Sequence, residues 1–100
     1  MVTVDRQCFV STGERNQCWI EGGLFSMSLI YALHSLGLGT CCLNWSANKE
    51  QDRNLRKFVD IDNSEAVIMM IAVGHLKDSF KITESARKSL EQYLITGHCR

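Results

Sequence analysis

The stretch GGLFSMSLIYALHSLGLGTCCLNWS, residues 22–46, decides how the rest of the chain is read. From Trp19 to Leu36 its apolar residues recur at helical spacing. Leu24, Ser28 and Tyr31 share one face, and Phe25, Leu29, Ala32, Leu33 and Leu36 another, with Met27 and Ile30 between. A helix that is apolar on nearly every face is buried on nearly every face. One hundred residues can hardly surround such a helix, so a partner chain or a further segment is implied. Gly22 and Gly23 each cost about 1 kcal/mol of helix propensity. The expected compensation is close backbone approach, helix to helix. Gly37 stands where a left-handed residue ends a helix. Glu21, His34 and several Ser, Thr and Gly interrupt the apolar run, and no basic flank anchors it, so it does not read as a membrane span.

Working outward, "TCCLN" (40–44) reads as a short buried strand. In a strand Cys41 and Cys42 point to opposite faces, a poor chelate and a poor vicinal disulfide, so core packing is the reading and a metal site is not. The five cysteines, at 8, 18, 41, 42 and 99, are odd in number and form no C-x-x-C pair. That pattern fits reduced, mostly buried thiols in a cytoplasmic protein. Ser46 or Asn48 can cap the next helix, about Lys49–Val59, with Gln51 closing a capping box on Asn48. Leu55, Phe58 and Val59 are expected inward. "AVIMMIAVG" (66–74) reads as one central strand covered on both faces. A polar connection over 75–84 leads to a last helix, Ala86 to Ile95, with Leu90, Tyr93 and Leu94 on one side. Upstream, "MVTVD" alternates as a strand and residues 6–18 form a polar loop pivoting at Gly13. The order strand, helix, strand, helix, strand, helix is an α/β or α+β layout. Three strands are few for so apolar a helix, so the chain looks like part of a layered domain.

Eleven basic and eleven acidic residues cancel and are scattered, which argues against nucleic acid and acidic membranes as partners. No signal peptide is visible after Met1. His34, at the negative end of its helix, reads as a satisfied core or interface histidine rather than a proton donor. His75 and His98 have no partner at ligand spacing, and no phosphate-binding G-x-G-x-x-G or P-loop occurs. "SARK" (85–88) gathers the Ser85 hydroxyl, Arg87 and Lys88 at an expected helix start. That set either holds an anion or is a solvated face.

Taken together, these segments resemble the C-terminal half of the FMN-dependent nitroreductase family, from about Val2 to Leu94. The resemblance rests on five pieces in order: the Gly-rich start of the long helix, "ALHSLGLGTC", the "NKEQDRNLRKFV" helix, the "EAVIMMIAVG" strand and the closing "SARK". It implies a partial three-layer sandwich in which Trp19 to Leu36 packs at a homodimer interface or against a full-length relative. It further implies FMN bound between subunits, with Cys42, Leu43, Asn44 and Trp45 along the flavin ring. Backbone N–H groups near Asn44 and Trp45 would face its reactive nitrogen. Ser85, Arg87 and Lys88 match the family's phosphate contact. The implied activity is NAD(P)H-driven reduction of a small organic acceptor by ping-pong hydride transfer.

Two departures stand out. Family members often carry small residues where Asn44 and Trp45 stand, and a tryptophan narrows the space beside a flavin. Nothing in residues 1–18 matches the family's N-terminal half, with its Arg-rich turn. The expectation is therefore a fragment, residues 1–100 forming the C-terminal portion of such a domain, with activity impaired in the chain alone. The rival expectations are a non-catalytic dimerisation module and an inactive remnant.

Overall fold

A computed structural model describes residues 1–94 of the chain. Strand β1 (Val2–Asp5) leads through two single turns, Arg6–Cys8 and Thr12–Glu14, into helix α1 (Gln17–Ser35). Strand β2 (Leu38–Cys42), helix α2 (Lys49–Phe58) and strands β3 (Glu65–Met69) and β4 (Ile71–His75) follow, then a single turn at Leu90–Gln92. The chain is thus mixed α and β, with two helices and two small antiparallel sheets, compatible with a partial nitroreductase-like layout.

The apolar run 66–74 is not one strand with two covered faces. It breaks at Met70 into β3, which pairs with β1, and β4, which pairs with β2. The first half is where the core sits: Val2, Ala66 and Val67 are buried, whereas Ala72, Val73 and Gly74 are exposed. The Met70 carbonyl accepts from the Leu43 N–H at 2.7 Å, so the break still carries the ladder on past the end of β2.

Helix α1 lies against β1, β2 and β3. Its buried residues are Cys18, Gly22 and Ser26, spaced by four and all small. The Ser26 hydroxyl donates to the Gly22 carbonyl at 2.7 Å, which satisfies it without a partner outside the helix. Gly22 does mark a close approach, but of helix to sheet rather than helix to helix: a Cβ there would lie 2.7 Å from Ile68 Cγ1. At Gly23 a Cβ would meet nothing within 4 Å. Leu29 and Leu33 flank that stripe and are half-buried, but four large side chains point away. At 100° per residue, Ile20, Leu24, Met27 and Tyr31 fall within about 60° of one another and opposite the buried stripe. Each is more than half exposed. The helix expected to be buried all round is therefore buried in this chain along one narrow stripe.

Gly37 ends α1 with φ +77°, the expected left-handed stop. Asn48 caps α2, its side chain accepting from the Gln51 N–H at 2.9 Å while Gln51 Oε1 accepts from the Asn48 N–H at 3.0 Å. Three expectations fail here. Strand β2 runs from Leu38 to Cys42 rather than over 40–44, because Gly37 turns the chain so that pairing starts at once and Asn44, with φ +50°, leaves the strand. Cys41 and Cys42 are exposed, not core, since β2 has β4 alone as its partner; of the four described cysteines, Cys18 alone is buried. Phe58 is 88% exposed and Val59 also lies outward. Polar clamping by Arg56 holds α2 instead, with Leu55 half-buried.

The last helix, Ala86 to Ile95, does not form over its described part. Residues 76–89 take no regular structure and only Leu90–Gln92 makes a single turn. Leu90, Tyr93 and Leu94 remain exposed, so no packing face rewards helix formation there. Ile95, His98 and Cys99 lie outside the described residues. The strand-helix-strand-helix-strand-helix order accordingly loses its final helix.

The chain does not wrap a closed core. Its radius of gyration is 17.9 Å, against about 13 Å for a compact domain of this length. Its accessible surface is 8940 Å², against about 5,700 Å² for a folded monomer of this mass.

Candidate functional site

The segment after β2 is shaped by one residue. Asn44 has φ +50°, the left-handed region that asparagine tolerates and most side chains avoid. It swings the chain out of the β2–β4 ladder immediately after Leu43. As a result the backbone N–H groups of Asn44 and Trp45 donate to no protein acceptor among the described residues. Cys42, Leu43 and Asn44 are exposed along this turn.

Trp45 is held differently. Its indole Nε1–H donates to Asp52 Oδ1 at 3.0 Å, and Asp52 Oδ2 accepts from Arg56 Nε at 2.8 Å. Arg56 in turn donates to the carbonyls of Asp62 at 2.7 Å and Glu65 at 2.8 Å. One guanidinium thus ties α2 to the start of β3 and, through Asp52, anchors the indole at its Nε1. Nothing in the sequence pattern pointed to Asp52 or Arg56 as functional. Their i, i+4 spacing looks like an ordinary solvated pair.

A cavity of about 580 Å³ opens beside this clasp. Trp19 at the start of α1, Trp45, the α2 side chains Lys49, Arg53 and Arg56, and Val67 of β3 are among the residues that line it.

The Arg56 hydrogen bond first, and the Trp45 hydrogen bond second, hold the Asp52 carboxyl below its ordinary value of 3.8. Since the folded value is the depressed one, the clasp is complete above the ordinary value and is lost as pH falls through the lower one. Trp45 emission is therefore expected to keep its neutral-pH position down to the ordinary carboxylate value of 3.8 and to shift to the red only below it, read by tryptophan fluorescence. Asp52→Ala should show the shifted emission already at neutral pH. Trp19, half exposed, lines the same cavity, so Trp19→Phe isolates the Trp45 signal.

The second group of expected site residues is not brought to the first. Ser85, Arg87 and Lys88 are exposed in the segment without regular structure. Among the described residues, no hydrogen bond or ion pair joins them to residues 42–45, and they do not line the cavity that Trp45 lines.

The family model described as the Nitroreductase family matches residues 11–75. This chain belongs to the nitroreductase family. The matched span contains α1, the whole Cys42–Trp45 turn and the Asp52–Arg56 clasp, and it ends with β4. "SARK" lies beyond it. No curated protein and no solved structure matches the chain. Membership supports flavin-dependent oxidoreductase chemistry as the general setting of this nitroreductase-family chain. Among the described residues no helix is long and apolar enough to cross a membrane, and no group of three or more His, Cys, Asp or Glu could hold a metal ion.

Proposed function

We propose that this chain forms one wall of an FMN site in a nitroreductase-like oxidoreductase. In this reading it is the C-terminal portion of such a domain. The observation that carries the reading is the turn at Asn44. A left-handed residue directly after a strand leaves two neighbouring N–H groups without protein acceptors, inside the span that matches the family. Such a pair suits a flat heterocycle whose edge nitrogens and oxygens accept hydrogen bonds. Cys42 and Leu43 would lie along that ring, and the clasped Trp45 would limit what can stand beside it.

FMN, when bound, supplies hydride transfer between NAD(P)H and a small organic acceptor. The chain's own contribution is position: donors at Asn44 and Trp45, and water excluded by the indole. Ser85, Arg87 and Lys88 are proposed for the phosphate, their cations being free of carboxylate partners among the described residues. They stand apart from the 42–45 turn, so the chain alone is expected to hold FMN poorly. A second copy, or a longer relative, seated on the exposed face of α1 would supply the missing surface. A cytoplasmic setting suits the unpaired thiols.

The test is a flavin titration of the purified full chain, followed by FMN fluorescence and absorbance. For the chain held monomeric by dilution, binding no tighter than about 100 μM is expected, roughly 5.5 kcal/mol. Tight stoichiometric binding would overturn the dependence on a partner. A second reading, a dimerisation module without catalysis, is favoured by the outward-facing stripe on α1. A colourless dimer supports that module, and a yellow dimer that oxidises NAD(P)H supports the oxidoreductase.

A further inference from the structure

Both tryptophans of the chain, Trp19 and Trp45, line one cavity. Its volume, about 580 Å³, is within the usual range for small-molecule sites. Its walls carry Arg6, Lys49, Arg53 and Arg56 against Asp52 and Glu65, an excess of positive charge in a molecule whose total is neutral.

Internal partners already occupy both carboxylates. Asp52 accepts from Trp45 and Arg56, and Glu65 accepts from the Thr3 hydroxyl and the Asp62 N–H. Arg6 and Arg56 donate to backbone carbonyls between Asp62 and Glu65. Lys49 and Arg53 are left. Neither side chain makes a hydrogen bond or ion pair among the described residues. Four apart on α2, they stand one above the other as a like-charge pair, an arrangement that opposes the helix unless an anion sits between them. Beside them the Trp45 indole, anchored at Nε1 by Asp52, offers a surface for a flat ring.

We propose that this cavity binds a small planar aromatic carboxylate, its ring against Trp45 and its charge between Lys49 and Arg53. The site shares only Trp45 with the flavin contacts proposed above and does not depend on them. Both tryptophans report on it.

The full chain would be titrated with 2-naphthoate by calorimetry, with tryptophan emission as a second readout. Saturable binding at one site per chain is expected, with neutral 2-naphthamide and non-aromatic acetate each at least about tenfold weaker. Lys49→Gln with Arg53→Gln should lower naphthoate affinity about tenfold or more without lowering the thermal unfolding midpoint of the free chain. Lys57→Gln, on the same helix but outside the cavity, should leave affinity unchanged. Equal binding of naphthoate and naphthamide would overturn the proposal, as would a Lys57→Gln loss matching that of the double variant. Competitive displacement of naphthoate by FMN would give the cavity to the flavin and overturn it as a separate site.

Discussion

Gly22→Ala is expected to destabilise the chain by about 1–2 kcal/mol, while Gly23→Ala, one residue on, is expected to stabilise it by up to about 1 kcal/mol. Both positions lie inside α1, and both substitutions raise helix propensity by the same amount. They differ in what the new methyl meets. At Gly22 it would stand 2.7 Å from Ile68 Cγ1 and 2.9 Å from Cγ2. Both carbons sit directly on the Ile68 Cβ, and a β-branched side chain in a strand has little freedom to swing aside. The helix must instead lift from β3, which loosens Cys18 and Ser26 in the same stripe. Overpacking of this kind costs about 1–3 kcal/mol and outweighs the propensity gain. At Gly23 no atom lies within 4 Å of the new methyl, so the gain stands alone.

Urea unfolding followed by far-ultraviolet circular dichroism, at one protein concentration for all variants, measures the pair. Equal stabilisation of both would mean that α1 does not rest on Ile68. Ile68→Ala in the Gly22→Ala background should show coupling, the double variant losing less than the sum of the two single losses.

Local rules carried much of this fold into the sequence. The Asn48–Gln51 box, the left-handed stop at Gly37 and the short strand at Val2–Asp5 each depend on neighbours a few residues away, and each appears where those rules place it. What failed depends on distant partners. The run 66–74 looks uniform in sequence, yet its two halves pair with strands from opposite ends of the preceding chain. Phe58 looks like a core residue by type, but among the described residues no element covers it. The final helix expected over Ala86 to Ile95 has an amphipathic pattern, but among the described residues nothing covers Leu90, Tyr93 or Leu94. The candidate site divides the same way. The strand before the Cys42–Trp45 segment is legible, but its left-handed turn is not, since Asn44 reads as part of that strand; the clasp on Trp45 needs Asp52, Arg56 and the 62–65 carbonyls to meet in space. Ordinary charged residues at ordinary helical spacing gave no reason to pick those two out.

Leu24→Asp is expected to abolish self-association of the chain while leaving α1 folded. Ile20, Leu24, Met27 and Tyr31, spaced by four, three and four, form a stripe whose members are 54%, 65%, 53% and 68% exposed. That spacing is the seam by which one helix packs along another. It lies opposite Cys18, Gly22 and Ser26, so a carboxylate at position 24 faces solvent in the single chain and costs its fold little. In a proposed homodimer the same carboxylate would be buried among the partner's apolar side chains without a cation to pair it. An uncompensated buried charge costs several kcal/mol, about a hundredfold or more in dissociation constant. The surface in excess of a compact monomer, about 3,200 Å², exceeds the roughly 1,600 Å² that a stable interface buries in total. Light scattering on a sizing column should therefore give a dimer for the parent chain and a monomer for Leu24→Asp, with equal helical circular dichroism. Because the stripe is apolar, raising the salt concentration should not dissociate the parent dimer, whereas an ion-paired interface would weaken. A monomeric parent chain, or a Leu24→Asp chain that still dimerises, would reject this face as the contact. A variant that loses helix along with association would place Leu24 in the fold of the single chain, contrary to its exposure.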